Sequence, residues 1–500
     1  MTAYVLLLTP IVAGTLMFIP GRFPRRLLLA AAAMLHLVCT FLIVHAVNAG
    51  DPPSAFGGLV CPDALGILFL MPASILFTAA SAYSLWYLRE EDKKHVKTEF
   101  RSRMPFTNAP ETRFLSCLCF FAAAMTLVTA TPNFGALWVG IELTTLASAP
   151  LIYFHRHRMS MEATWKYLLI CSVGIALALL GNILMSVAFH TPDGGSAEAI
   201  DQLSAYIEKA RHMRGSENLI WLKTSFIFLL IGYGTKMGLS PMHTWLPDAH
   251  SQAPSMVSGL LSGALLNCAL LGILRGHQVM LAAGLGDFSS GLLVFFGILS
   301  MLTAAVFIVG QGHYKRLLAY SSVEHMGILA LAFGMGGEAL FGGMLHALCH
   351  SLTKCMLFLT AGNILTRYHS LSIYDVSGLR MAMPISGALW TGGFLAIVGS
   401  PPFGLFVSEF TILKGIFSNG STVTAILYLM ALAVIFIGMS VPVLRMAQGT
   451  PAYDVVINRR EAWLSVLPPA VLGGCVLLLG LWIPDFLTSL FENASALLGE

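Results

Sequence analysis

Residues 234–254, GTKMGLSPMHTWLPDAHSQAP, decide how this chain is read. Lys236 lies within an apolar run over residues 225–239, and Pro241 and Pro247 follow it. A lysine in the hydrocarbon core of a bilayer costs about 2.5–3.5 kcal/mol on insertion scales, so such residues are rare and mark ion or proton paths. A helix interrupted by proline beside that charge is one way to build a site at the membrane midplane. The segment reads as part of a protein that moves charge through a membrane.

Composition agrees. The chain has 500 residues, 56% of them hydrophobic and only 11% charged, with a mean hydropathy of +0.77. Soluble domains carry roughly 25% charged residues, so the class is all-α polytopic membrane protein. The first residues, MTAYVLLLTPIVAGTLMFIPGR, lack the basic start and small-residue cleavage site of a signal peptide and read as a first span. Nine cysteines include no C-x-x-C pair. Cys117 and Cys119 point about 200° apart on a helix, which suits neither a disulfide nor a metal. No iron–sulfur, nickel, flavin or haem signature appears, so no cofactor, metal or redox centre is expected.

A span needs about 20 apolar residues. About 14 spans are expected, centred near residues 12, 37, 76, 122, 143, 177, 232, 264, 298, 324, 352, 398, 432 and 474. Basic residues set the orientation. Of the 28 lysines and arginines, 20 fall in odd-numbered loops, among them Arg22, Arg25, Arg26, Lys94, Lys97, Arg101, Arg103, Lys166, Lys315, Arg316 and Arg459. Even-numbered loops hold Lys209, Arg211, Arg214, Lys223 and Arg275, while Lys236, Lys354 and Lys414 fall inside spans. The basic loops are therefore expected in the cytoplasm, with both termini outside. In the long loop near 191–222, Ile200, Leu203 and Ile207 follow a helical period and predict a short amphipathic helix on the outer surface.

A second break, GSPPFGLFVSEF over residues 399–410, carries Pro401 and Pro402 and then Glu409. Paired breaks in two halves point to an internal repeat with a site in each. The expected divisions are 1–112 (three spans and a basic cytoplasmic loop), 113–277 and 278–445 (the two repeats), and 446–500 (a loop and the last span).

The remaining intramembrane charges are the candidates. Glu142 lies inside span 5, either at a helix end near headgroups or paired with Lys236; an opposite charge within about 4–6 Å holds both ionised. His346, His350 and Lys354 are spaced i, i+4, i+8 and share one helix face. They read as a hydrated relay, as structural hydrogen-bonding groups, or, least well for want of an acidic or thiol ligand, as a metal site, although Cys349 is nearby. Glu409 is a terminal proton site or an interfacial acid, with Lys414 five residues on. Glu324 and His325 in span 10 suit a buried ion pair or a relay equally. His243 belongs to the break or flanks water, and Asp248 and His250 read as polar groups at the membrane surface. Glu142, Lys236, His346, His350, Lys354 and Glu409 together form a candidate polar axis across the bundle, with no catalytic residue in the enzymatic sense.

Residues 234–266, together with KRLLAYSSVEHMGIL, HALCHSLTKCMLFLTAGNIL and PPFGLFVSEFTIL, resemble the antiporter-like membrane subunits shared by respiratory complex I, Mrp cation/proton antiporters and energy-converting NiFe hydrogenases. The resemblance covers roughly residues 60–450 and is strongest to the hydrogenase-4 (formate-hydrogenlyase-type) component F branch. It implies 14 helices, two inverted five-helix repeats (spans 4–8 and 9–13), broken helices 7 and 12, and outward termini. It implies that Glu142 and Lys236 are the span 5 glutamate and its broken-helix partner, that Lys354 and its histidines are the span 11 relay, and that Glu409 is the distal site. One departure stands out: Asn267 occupies the position where the family commonly has a span 8 lysine.

The function implied is proton translocation, or sodium translocation, in the cytoplasmic (inner) membrane of a prokaryote, driven by redox chemistry in partner subunits. The partners implied are other integral membrane subunits and a NiFe hydrogenase-like or quinone-oxidoreductase-like peripheral arm, with no nucleic acid. An Mrp-type secondary antiporter and a non-pumping structural subunit are the rival readings.

Overall fold

The computed structural model describes residues 1–93, 107–189, 202–213, 218–451 and 460–499. Among these the chain is helical with only isolated β-bridges. The physical reason is that a helix satisfies its own backbone where lipid offers no hydrogen-bond partner.

The helices run in order as α1 (Thr2–Leu16), α2 (Arg22–Asn48), α3 (Ala64–Lys93), α4 (Glu111–Ala130), α5 (Phe134–Ile152), α6 (Arg158–Ala188) and α7 (Leu203–His212). Then come α8 (Leu219–Met237), α9 (Trp245–Gln252), α10 (Ser255–Leu260), α11 (Leu266–Ala282), α12 (Gly286–Ile308), α13 (Tyr314–Met335) and α14 (Glu338–Tyr368). The chain ends with α15 (Leu379–Ala382), α16 (Pro384–Ile397), α17 (Gly404–Ser418), α18 (Thr422–Ala447), α19 (Trp463–Leu481) and α20 (Asp485–Ala496).

Eleven helices among the described residues are long and apolar enough to cross a membrane, with α10 and α11 forming one such segment through a π-helical turn at Leu261–Leu265. The three other expected centres fall on the short α1, on α8, and at the join between α16 and α17. The chain is thus a multi-pass membrane protein. Segment α10–α11 and helices α13 and α14 are almost wholly enclosed, whereas α6, α12 and α18 are covered over less than half of their apolar stretch. Leu169, Val173, Leu180, Ile183 and Val187 make one exposed apolar stripe on α6, and Val423, Ile426, Met430, Ile437 and Val441 another on α18. Apolar surface of this extent is stable against acyl chains, not water. The bundle therefore turns its greasy helices outward and keeps its polar ones inside.

Both breaks follow from local sequence. Helix α8 ends at Gly238 in the left-handed conformation, and α9 begins at Trp245 after a non-helical segment containing Pro241. Pro247 does not break the helix as expected. It sits in the first turn of α9, where a missing N–H costs nothing. The second break separates α16 from α17 around Gly399, Pro401 and Pro402. Close packing brings α8 against α6: a Cβ on Gly232 would meet the Ala178 nitrogen at 2.5 Å and the Gly174 oxygen at 2.6 Å. Small residues of this kind let helix backbones approach in membranes.

The loops sort into two ends as their charge predicts. Arg26 pairs with Glu111 at 2.8 Å, Arg22 and Arg26 with Asp92 at 3.1 Å, and Asp248 with both Lys166 (3.0 Å) and Arg316 (2.6 Å). These contacts join odd-numbered loops to one another. At the other end, Ala3 packs with Ala55, Val60 and Ala130, and Gln278 donates to the Leu497 carbonyl at 2.9 Å. Both termini therefore share the end of the even-numbered loops. Lys94, Lys97, Arg101, Arg103, Ile200, Arg214 and Arg459 lie outside the described residues. The predicted amphipathic helix is α7, which buries Leu203, Tyr206 and Ala210, with Ile207 at the margin.

Three basic residues differ from expectation. Lys315 is not a loop residue: it is 1% exposed in the first turn of α13 and donates to the Ala253 carbonyl at 3.1 Å. Lys414 is not enclosed in a span but is exposed and paired with Glu338 at 2.8 Å. Arg275 is buried in α11, where its guanidinium grips Asp63 with two bonds of 2.6 Å. Burial alone would raise the Asp63 carboxyl, but the Arg275 charge and hydrogen bonds, with the Gly66 amide, hold it below its ordinary value. That contribution is present above the unfolded carboxylate value of about 3.9 and is lost as acid protonates the folded group.

The Asp63–Arg275 clasp ties the start of α3 to α11, and Gln278 beside it reaches the C-terminal residues. Arg275→Ala should destabilise the detergent-solubilised protein by on the order of 3 kcal/mol, the low end for a buried pair because Asp63 is partly exposed. Thermal unfolding at pH 7 checks this, and an unchanged midpoint would show that the clasp carries no stability.

Candidate proton-transfer site

The ammonium of Lys236 is fully buried in the last turn of α8. It donates to Thr145 Oγ1 at 2.8 Å and to the Tyr167 hydroxyl at 2.6 Å, and lies 4.5 Å from the centre of the Tyr167 ring. The Tyr167 hydroxyl in turn meets Ser148 Oγ at 2.6 Å. The position also suits a cation, because the last turn of a helix presents unpaired carbonyls and the negative end of the dipole. Trp245 locks the turn by donating to the Thr235 carbonyl at 2.8 Å and packs on Tyr167 at 5.0 Å.

The expected Glu142–Lys236 ion pair is not a direct contact. Glu142 is only partly buried on α5, its Oε2 lacks a hydrogen-bond partner, and hydroxyls from its own helix and from α6 take the ammonium instead. Its charge still acts on Lys236 through space. Cys268 of α11 also lies within electrostatic reach of Lys236.

Asn267 follows the π-helical turn and donates to Ser351 Oγ at 2.8 Å and to the Gly263 carbonyl at 3.1 Å. Its Oδ1 is buried and unpaired. One turn before it, Ser262 Oγ meets Ser322 Oγ at 2.7 Å. The centre of the bundle thus joins α11, α13 and α14 through an amide and hydroxyls, none of which ionises near neutrality. π-turns are frequent at functional sites because the extra residue re-aims the groups that follow.

Beyond this centre the ionisable groups return. Lys354 is fully buried on α14 and donates to the Leu318 carbonyl at 2.8 Å. Glu324 on α13 is 2% exposed, interacts electrostatically with Lys354 and Glu409, and leaves Oε2 without a partner. His346 and His350 share one face of α14 as their spacing predicts, with parallel rings 6.5 Å apart, and His325 packs 5.1 Å from each. His325 Nδ1 meets His346 Nε2 at 2.9 Å, and His346 Nδ1 meets Ser408 Oγ at 3.0 Å. Glu409, one residue on, is buried with Oε1 unpaired. Gly399, with φ of +63°, lets the second break close over this carboxylate, since a Cβ there would collide with Glu409 Oε2.

The three groups Ser408, His346 and His325 form a wire with two consistent proton arrangements. In one, Ser408 donates to the Leu405 carbonyl at 2.8 Å, His346 donates to Ser408, and His325 donates to His346. In the other every donor reverses, and His325 carries its proton on Nε2, a buried nitrogen with no hydrogen-bond partner. A neutral imidazole donates from one nitrogen and accepts at the other, so both arrangements fit the same ring positions, and passing from the first to the second takes one proton gained at His325 Nε2 and one given up by Ser408.

Sequence reasoning missed several contributors. His250, expected at the surface, is fully buried, has neither ring nitrogen hydrogen-bonded, and stacks on Phe358 at 5.2 Å. It lies within electrostatic reach of both Lys315 and Lys354. Asp248, two residues away, does reach the basic end as expected. Thr145, Tyr167, Ser351 and Ser408 carry no mark in the sequence, because hydroxyls are common in apolar helices and only the neighbouring helix gives them a role. His243 is buried near Phe307 and Tyr320 with Nδ1 unpaired, within the first break. Exposed Lys414 lies outside the buried row.

Comparison with known proteins places the chain in a family. Residues 131–435 match the family described as NADH:quinone oxidoreductase/Mrp antiporter, TM. The chain is 35% identical over 451 residues, 90% of each chain, to a protein of Methylacidiphilum infernorum named hydrogenase-4 component F homolog. The fold is similar to a chain of the Mrp complex from Dietzia sp. DQ12-45-1b (TM-score 0.84, 18% identity, 99% of this chain and 96% of that one). It is also similar to a chain of respiratory complex I from Thermus thermophilus with bound NADH (TM-score 0.80, 21% identity, 100% and 99%). The match over most of the chain makes this protein a member of the NADH:quinone oxidoreductase/Mrp antiporter membrane family.

Proposed function

We propose that this chain carries protons across the cytoplasmic membrane as one subunit of a membrane-bound, hydrogenase-type oxidoreductase complex, with no redox centre of its own. The observation that carries the reading is Lys236: a fully buried ammonium held by neutral hydroxyls, with Glu142 close enough to act on it but not bonded to it. Such a lysine is poised between two charge states. If Glu142 draws nearer, the ammonium is favoured; if Glu142 withdraws, desolvation favours release of the proton. A pairing change equivalent to two pKa units is about 2.7 kcal/mol, comparable with the roughly 2.3 kcal/mol of one charge crossing 100 mV.

A proton released from Lys236 passes the Asn267–Ser351 centre to Lys354, and Glu324 and the histidine wire take it to Glu409. His250, within electrostatic reach of Lys354 and Lys315, offers a link from the end where Asp248 holds Lys166 and Arg316. The two breaks, one beside Lys236 and one over Glu409, suit two related halves with one site each, at 113–277 and 278–445. The hydrogenase-type assignment rests on the relative named hydrogenase-4 component F homolog. A NiFe hydrogenase-like arm and other integral subunits are the partners this reading requires, and both termini face outside in it.

The test is proton uptake by vesicles carrying the purified complex. Lys236→Ala should lower redox-driven proton flux at least about tenfold while the complex still assembles. Tyr167→Phe, which removes one hydrogen bond but keeps the ring, should lower it only a few-fold. Undiminished flux in Lys236→Ala would favour a structural subunit, and flux driven by a sodium gradient without electron transfer would favour a secondary antiporter.

The neutral centre makes a separate prediction. Asn267→Leu keeps the branched shape but removes the amide and leaves Ser351 without its donor, so flux should fall about tenfold or more with assembly intact. Stopped-flow measurement with a pH-sensitive dye checks this, and an unchanged rate would place the path elsewhere.

A further inference from the structure

The stripe of His346 and His350 offers no acidic ligand within its own helix, and on sequence grounds a metal has little to bind. Tertiary packing changes that. His325 from α13, His346 from α14 and Glu409 from α17 converge, so that one ring nitrogen from each histidine and one carboxylate oxygen all lie within 4.8 Å of one another. All three residues are buried, and Glu409 Oε1 has no hydrogen-bond partner. Cys349 does not join them; its sulfur faces Gly404.

We infer that His325, His346 and Glu409 form a binding site for a divalent transition-metal cation of the zinc class, in which the ion takes the place of the proton shared by the two histidines. Two imidazoles and a carboxylate are a donor set that suits zinc, leaving a fourth position for another ligand. The geometry is close to what the ion needs. The two ring nitrogens are 2.9 Å apart. Zinc–nitrogen bonds of about 2.0–2.1 Å at a tetrahedral angle set them roughly 3.3 Å apart. The rings need to part by a few tenths of an ångström and to tilt by roughly 35°, so that both lone pairs turn from each other toward one point. The Glu409 carboxylate, whose Oε1 has no partner, becomes a ligand and offsets one of the ion's two charges.

A bound ion would occupy the lone pairs through which His325 and His346 exchange a proton, and neither of the two arrangements of the Ser408–His346–His325 wire would then be available. The metal is therefore an inhibitor of the path, not a resident cofactor. This blocking role rests on the proton-transfer reading above; the binding site itself does not.

The experiment titrates the chelator-treated, detergent-solubilised complex containing the full chain with Co²⁺, followed by visible absorption, and then displaces the cobalt with Zn²⁺. The expected result is one equivalent per chain with the intense absorption of a four-coordinate site. Its affinity should fall at least about tenfold in His346→Gln and in Glu409→Gln and stay unchanged in His243→Gln, a buried histidine outside the group. Thermal unfolding in metal-free buffer reports whether each variant is folded, and His325→Gln replaces any that is not. No binding, or equal binding in all folded variants (an adventitious surface ion only), overturns the site. In vesicles, Zn²⁺ should stop proton flux with the same apparent affinity. Binding without any effect on an active wild type overturns the blocking role. A wild type that moves no protons with or without metal sinks the proton-transfer reading and leaves the binding result standing.

Discussion

A lysine ammonium enclosed by helices must find donors' partners without water, and here it finds them in hydroxyls. Lys236 is bonded to Thr145 and Tyr167 and rests against an aromatic face. This is a weaker settlement than a buried salt bridge, which would fix the charge state. Hydroxyls accept from the ammonium, yet can also donate to the neutral amine, so the group remains able to change its charge. The surrounding architecture follows from this requirement. Helix α8 must stop at Gly238 so that its last turn faces inward, α6 must approach closely enough for Tyr167 to reach, and the glycine contact at Gly232 permits that approach.

The bundle meets the same problem repeatedly along its interior. Lys315 and Lys354 each donate to a backbone carbonyl, and Glu324 and Glu409 are each left with an unpaired oxygen. A single buried unpaired polar group is costly. A row of buried ionisable groups on α13, α14 and α17 is affordable only because the outer helices, α6, α12 and α18, meet lipid with almost purely apolar faces and leave the polar groups to the enclosed core. Stability and function draw on the same division of labour.

The row also has an uneven texture. Ionisable side chains crowd around Glu324, His325, His346, His350, Lys354 and Glu409, while the centre between Lys236 and Lys354 is neutral. Asn267, Ser351, Ser262 and Ser322 pass hydrogen bonds there but store no charge. In the proposed path, two stores joined by a neutral bridge would resist free leakage, because a proton would cross only when the acceptor on the far side is empty.

Much of this was legible in the residues themselves. Composition and the long apolar runs set the membrane class, loop charges sorted the ends, and helical spacing placed His346, His350 and Lys354 on one face. Each is a property of local chemistry with a period or a length, and a bilayer enforces it everywhere. What one strand of text cannot carry is which helix stands beside which. That decision placed hydroxyls and not Glu142 on Lys236, buried Lys315 and His250, put Lys414 at the surface, made Pro247 a helix-starting residue, and brought Glu409 and His325 to His346. Sequence by itself determined that charges would lie inside the membrane. Only the tertiary structure decided their partners, because a side chain's charge state is set by atoms within a few ångströms that are distant along the chain.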